Sequence, residues 1–199
     1  CNILLINGPQ YDFTEAEYNV LSSYLKEGGK AMFFLYPTTT EKMTYFYKLL
    51  SDYGVNVADG YIIDSKGSYS SQYPMYLTPT MEDSDLTKDV TDTQKVVIPI
   101  CKGMTVQSDV RSTLTVENMM STTDSAYAKT NIKSQTVDKE DGDINGPFSV
   151  ALSIKDSYAE KTKGTGHATE IVVFGSVSFE TSTFLETNQF GNRTVLLNS

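Results

Sequence analysis

At 199 residues and a net charge of −9, from 25 acidic against 16 basic side chains, the chain has room for one domain with an acidic surface. Such a surface repels the phosphates of nucleic acids and the headgroups of anionic lipids, so direct nucleic-acid binding is not expected. Two cysteines, Cys1 and Cys101, are too few for a disulfide framework, and no metal-binding spacing accompanies them.

The first element is the apolar run Ile3–Ile6, read as a buried strand. A helix over Glu15–Glu27 follows. Thr14 with Glu17 spells a capping box, Phe13 and Tyr18 have the spacing of a hydrophobic staple, and Val20, Leu21, Tyr24 and Leu25 form its apolar face. Gly28-Gly29 stops it, and Ala31–Leu35 is a second buried strand. Met43, Phe46, Tyr47, Leu50 and Tyr53 recur at helical spacing, which predicts a helix over Glu41–Tyr53 closed by Gly54, with a strand over Val55–Ile63.

Two polar excursions come next, around 64–94 and 103–146, separated by the apolar run Val96–Ile100. The first has a short helical turn near Asp85–Val90, the second a weak strand around Leu114–Met120. Phe148–Ile154 and Ile171–Phe174 are further strands joined by a turn around Lys161–Gly166, and Asn192–Asn198 begins a helix. Unbroken apolar strands separated by helices predict a single α/β domain over 1–199, a mainly parallel central sheet flanked by helices. No run of about 18 apolar residues is present to span a bilayer. With neither an initiating Met nor a signal peptide, the sequence reads as a piece of a longer protein; a lipid-modified Cys1 is the alternative.

Candidate chemistry is sparse. Cys101 follows a strand, where hydrolases and amidotransferases set a nucleophile, but the flanking pattern is half complete, with Pro99 on one side and Gly103 on the other. A thiol nucleophile needs a base, and His167 is the sole histidine. Asp141-Gly142-Asp143-Ile144-Asn145-Gly146 matches the first half of a calcium loop, but Leu152 stands where the bidentate acid belongs, so an acidic turn is the simpler reading. Gly175-Ser176-Val177-Ser178-Phe179 lies at a strand's carboxyl end, where ligands of open sheets bind, but it lacks the glycines and lysine of a phosphate loop. No catalytic, cofactor-binding or metal-ligating residue is assigned, and no cofactor is expected.

Several pieces in order resemble the auxiliary domain of ABC-type transport systems, the family of the gliding-motility component GldG. They are Asn7-Gly8-Pro9, the first helix running into Gly28-Gly29-Lys30, Leu49-Leu50 through Tyr53-Gly54-Val55, and Gly146-Pro147-Phe148. Ile171–Gly175 with Phe179, and Gly191-Asn192 leading to Leu196-Leu197-Asn198, complete the set. The resemblance implies a flavodoxin-like or class I amidotransferase-like three-layer sandwich on the outer face of a bacterial cytoplasmic membrane. It implies a non-catalytic domain beside an ABC permease and ATPase, held to the membrane by a segment outside this sequence. A hydrolase using Cys101, and a calcium- or glycan-binding surface module, are the alternatives.

Overall fold

The protein, seen here in a computed structural model, is described over residues 2–39, 42–164 and 166–199. Cys1, Thr165, and Thr40 and Glu41 at the expected start of the second helix lie outside the described residues.

The chain opens with β1 (Leu4–Asn7), α1 (Glu15–Lys26), β2 (Lys30–Phe34), α2 (Thr44–Ser51), β3 (Val55–Val57) and β4 (Tyr61–Ile63). The expected strand Val55–Ile63 is therefore two strands, broken at Gly60. The first excursion folds into β5 (Ser68–Ser70), β6 (Tyr73–Leu77) and β7 (Thr80–Met81). The apolar run 96–100 contributes only β8 (Ile98–Pro99). The second excursion yields β9 (Met104–Val106), β10 (Leu114–Ser121), β11 (Tyr127–Lys129) and β12 (Ile144–Asn145). The chain closes with β13 (Ser149–Asp156), α3 (Tyr158–Lys163), β14 (Thr169–Phe174), a 3-10 turn (Val177–Glu180), α4 (Ser182–Leu185) and α5 (Asn192–Asn198).

The main sheet runs β1-β2-β14-β13-β10-β7, with β9 added to β13 and β3 to β9. Among the named strands only β1, β2 and β14 pair in parallel; every other pairing is antiparallel. Two three-stranded antiparallel sheets, β12-β11-β4 and β5-β6-β8, complete the fold. This corrects the expected mainly parallel, helix-flanked sandwich, whether flavodoxin-like or amidotransferase-like: strand at 30% outweighs helix at 21%, and the sheet is mixed. Part of the reason is the length of α3. Its six residues rise about 9 Å, whereas the eight-residue β13 extends about 26 Å. The link between β13 and β14 holds no helix long enough to lie along the sheet as a crossover, and β14 runs back antiparallel to β13.

Side chains alternate across the main sheet into two cores. Ala31, Phe33, Ile171 and Val173 meet Leu25 of α1 and Phe46, Leu49 and Leu50 of α2. Met32, Phe34, Val172 and Phe174 face the other way, against Ile62, Leu77, Ile98, Ala128, Phe179 and Val195. One face is thus covered by helices and the other largely by the small β-sheets; the polar excursions supply strands to those sheets and also β7, β9 and β10 to the main one.

The capping box of α1 forms as expected: the Glu17 amide donates to Thr14 Oγ1 at 3.2 Å, and the Thr14 amide donates to Glu17 Oε2 at 2.8 Å. Of the apolar face expected, Leu25 is buried and Leu21 and Tyr24 pack against the same core, with Ser22 buried beside them, while Val20 is 69% exposed and lies off that face. Among the described residues no helix is long and apolar enough to cross a membrane.

Candidate functional site

Beyond the carboxyl end of β2 lies a cleft of about 790 Å³. Its walls are Thr39, the first turn of α2, the Asp59–Gly60 turn, Lys102, and the segment from Thr130 to Lys133. Each wall is fixed from elsewhere. Asp12 holds the start of α2 by accepting the amides of Tyr45 and Phe46 at 2.9–3.0 Å, supplying the acceptor that Met43 at the N-cap position cannot. Gly60 sits at φ +81°, and a Cβ there would come within 2.0 Å of the Lys129 carbonyl oxygen, so the cleft edge closes only around glycine. Tyr47 is half-buried; burial pushes its phenol above the ordinary value, with Thr39 opposing.

Lys102 is set into the cleft by a strained backbone. Ile100 occupies φ +40°, a region a β-branched residue rarely visits. The conformation is held on all sides: the Ile100 amide donates to the Met75 carbonyl at 2.8 Å, and the Cys101 carbonyl accepts the Ile62 amide at 2.9 Å. The Lys102 amide donates to the Gly175 carbonyl at 2.8 Å. Any side chain at Gly175 would collide with the carbonyl oxygen of Lys102, 2.5 Å from an ideal Cβ. Lys102 is only 4% exposed, and its ammonium makes no hydrogen bond or ion pair among the described residues. Burial pulls its pKa below the ordinary lysine value, with Asp59 opposing.

The residues singled out in the sequence do not come together. Cys101 is fully buried in the core between the sheets, and burial drives its thiol far above the ordinary range, so thiolate is not available at neutral pH. His167 sits at the other end of β14, against Gly28 after α1. Six residues of strand separate the two ends, about 20 Å. Ser176 is also fully buried: its hydroxyl donates to the Pro99 carbonyl at 2.5 Å and accepts the Ser178 amide at 3.0 Å, capping the 3-10 turn.

The Asp141–Gly146 turn is closed by a lysine. Asp143 accepts the amides of Thr130 and Glu140 at 3.0 and 2.9 Å, and the buried Lys129 ammonium lies 3.4 Å from Asp143 and 2.7 Å from Glu140. Of the loop's three side chains at 141, 143 and 145, only Asp143 meets that ammonium. Lys129 also donates to the Asp138 carbonyl. No group of three or more His, Cys, Asp or Glu able to hold a metal occurs among the described residues. Lys102 itself carries no sequence motif; the one available signal is a lysine placed inside the otherwise apolar stretch from Val96 to Met104.

No protein-family model matches the chain, and no curated protein matches it significantly. Among solved structures, the mmIFT52 N-terminal domain superposes with a TM-score of 0.65 at 18% identity, over 98% of this chain and 73% of that one. At that identity the likeness concerns the fold. A putative ThuA-like protein from Bacteroides uniformis superposes with a TM-score of 0.45 at 14% identity, over 99% of this chain and 66% of that one.

Proposed function

We propose that the chain is a non-catalytic, extracytoplasmic auxiliary domain of a bacterial ABC-type transport system, acting by binding rather than by bond-making. The observation that carries the non-catalytic part is the separation of Cys101 from His167, with the thiol sealed in the core and the histidine at the opposite end of β14. A nucleophile and its base work only within hydrogen-bond reach. The transport assignment rests on the ordered sequence motifs alone, from Asn7-Gly8-Pro9 to Gly191-Asn192. Its partners would be the permease and ATPase of the same system. The acidic surface suits a protein partner better than nucleic acid or an anionic membrane.

The test is a transport assay with the full system. Cys101→Ser and His167→Ala should each leave transport and co-purification with the permease unchanged, because a true nucleophile or base would cost orders of magnitude in rate. A folded Cys101→Ser protein that abolishes transport would sink the non-catalytic reading. Failure of the wild-type protein to co-purify with any permease would sink the transport assignment.

A further inference from the structure

The cleft beyond β2 carries more positive than negative side chains, against the sign of the whole molecule. The chain carries net −9, yet among the described residues the cleft brings Lys42, Lys102 and Lys133 together with one acid, Asp59. Lysine is almost never buried unless it is paired, because removing an ammonium from water is costly without an opposite charge to replace the lost hydration. Lys102 is buried with no ion pair or hydrogen bond to its ammonium among the described residues, Asp59 acting on it only from beyond ion-pair distance, and it lines an open cleft large enough for a monosaccharide-sized molecule. Lys129 shows how the same chain treats a buried lysine that is purely structural: it gives it Glu140 and Asp143. The cleft's other hydroxyls belong to Thr39, Thr44, Tyr47 and Thr130, the last already donating to the Gly142 carbonyl and to Asp143 at 3.2 and 3.3 Å. The backbone strain at Ile100 falls two residues from the lysine, in the segment that fixes its position.

We propose that this cleft binds a small polyhydroxy oxyanion, a sugar bearing a carboxylate or a phosphate. The Lys102 ammonium is the anchor that meets the oxyanion, Lys42 and Lys133 at the rim draw it in, and the hydroxyls meet the ligand's own. The inference stands on the cleft's geometry and is independent of whether the domain serves a transporter.

The experiment is an amide-resolved NMR titration of the chain with three probes: glucuronate, glucose 6-phosphate and glucose. Saturable shifts among the described residues confined to Thr39, 42–47, 59–60, 102 and 130–133 are expected for at least one of the anions and not for glucose. Whichever anion binds more tightly identifies the carboxylate or the phosphate as the preferred group. Lys102→Met should weaken that binding by at least about tenfold, the worth of a charge-assisted hydrogen bond. This variant removes a buried charge without creating a cavity, so it is expected to fold. Should it not fold, Lys133→Ala tests the same claim from the rim, with a smaller loss of affinity that added salt reproduces in the wild type. The proposal is overturned if neither anion gives saturable shifts in these segments. It is also overturned if glucose binds equally well, or if affinity is unchanged in both lysine variants.

Discussion

Asn192 extends by its side chain a contact that the backbone makes only at the single parallel bridge between Lys95 and Phe190. Its side chain is fully buried, with Oδ1 accepting the Val97 amide at 2.9 Å and Nδ2 donating to the Val97 carbonyl at 2.7 Å and the Phe179 carbonyl at 3.2 Å. Val97 therefore has its backbone satisfied by a side chain where a sheet neighbour would otherwise serve. That is why the run Val96–Ile100, apolar enough to read as a central parallel strand, gives only a two-residue strand at the edge of a small sheet. Pro99, which has no amide to donate, fits such an edge. Asn192→Ala leaves these groups buried and unpaired, and at about 1–3 kcal/mol for each unsatisfied group the expected loss is about 3 kcal/mol. Urea melts with a loss below about 1 kcal/mol would mean that water reaches the gap. The sequence offers Gly191-Asn192 only as part of a family resemblance, since a single asparagine does not reveal its distant partners. Lys102 is hidden for a similar reason: its significance lies in what is missing around it, and only packing shows that.

The β11–β12 hairpin shows how an element reads correctly as a turn while its purpose stays out of view. Asp141-Gly142-Asp143 has turn composition, and a turn forms, but the carboxylates of Asp143 and the preceding Glu140 serve Lys129 at the end of β11. Burial works against the Lys129 ammonium, yet Glu140 and Asp143 outweigh it and hold its pKa above the ordinary lysine value. Glu140 is held below the ordinary carboxylate value chiefly by its bond to Lys129, helped by Ser134. Burial pushes Asp143 up, but the amides of Glu140 and Thr130 and the Lys129 ammonium bring it below its ordinary value. For carboxylates with depressed folded pKa values, the stabilisation is complete above their unfolded values of 4.5 and 3.8 and is lost as pH falls through the lower folded ones. The raised Lys129 pKa contributes at any pH below its unfolded value of 10.5 and is lost only as pH rises through the folded value. Urea melts taken from about pH 5 down to about pH 2 should show stability falling with acid. In a folded Lys129→Met variant that fall should be shallower, because the carboxylates no longer gain from the ammonium. A fall of equal steepness in the variant would place the acid sensitivity elsewhere.

At the scale of the whole molecule, β1 and β14 look alike as sequence but occupy opposite situations. Each carries an unbroken apolar run, Ile3–Ile6 and Ile171–Phe174, the signature of a parallel strand covered on both faces. β14 meets that description: it lies between β2 and β13, with Ile171 and Val173 packed toward the helices and Val172 and Phe174 toward the small sheets. β1 is the edge. Leu4 and Ile6 pack under α1, but Ile3 and Leu5 are 52% and 54% exposed on the other face. An apolar run records how a strand's side chains suit burial; it does not record whether a neighbour lies beyond them, and that gap hid the mixed topology. The polar excursions failed in the opposite sense, since short antiparallel strands with one wet face lack the apolar density that marks a buried strand. Hydrogen exchange separates the two situations. Amides of β14 should exchange only through global unfolding, whereas those of β1 and β5 should exchange by local opening, on the order of a hundredfold faster or more. The comparison belongs at low protein concentration, because an exposed apolar edge can pair with a second copy. If β1 amides were protected as well as those of β14 under those conditions, the edge would be closed by contacts this fold does not contain, and β1 would have to be placed inside the sheet.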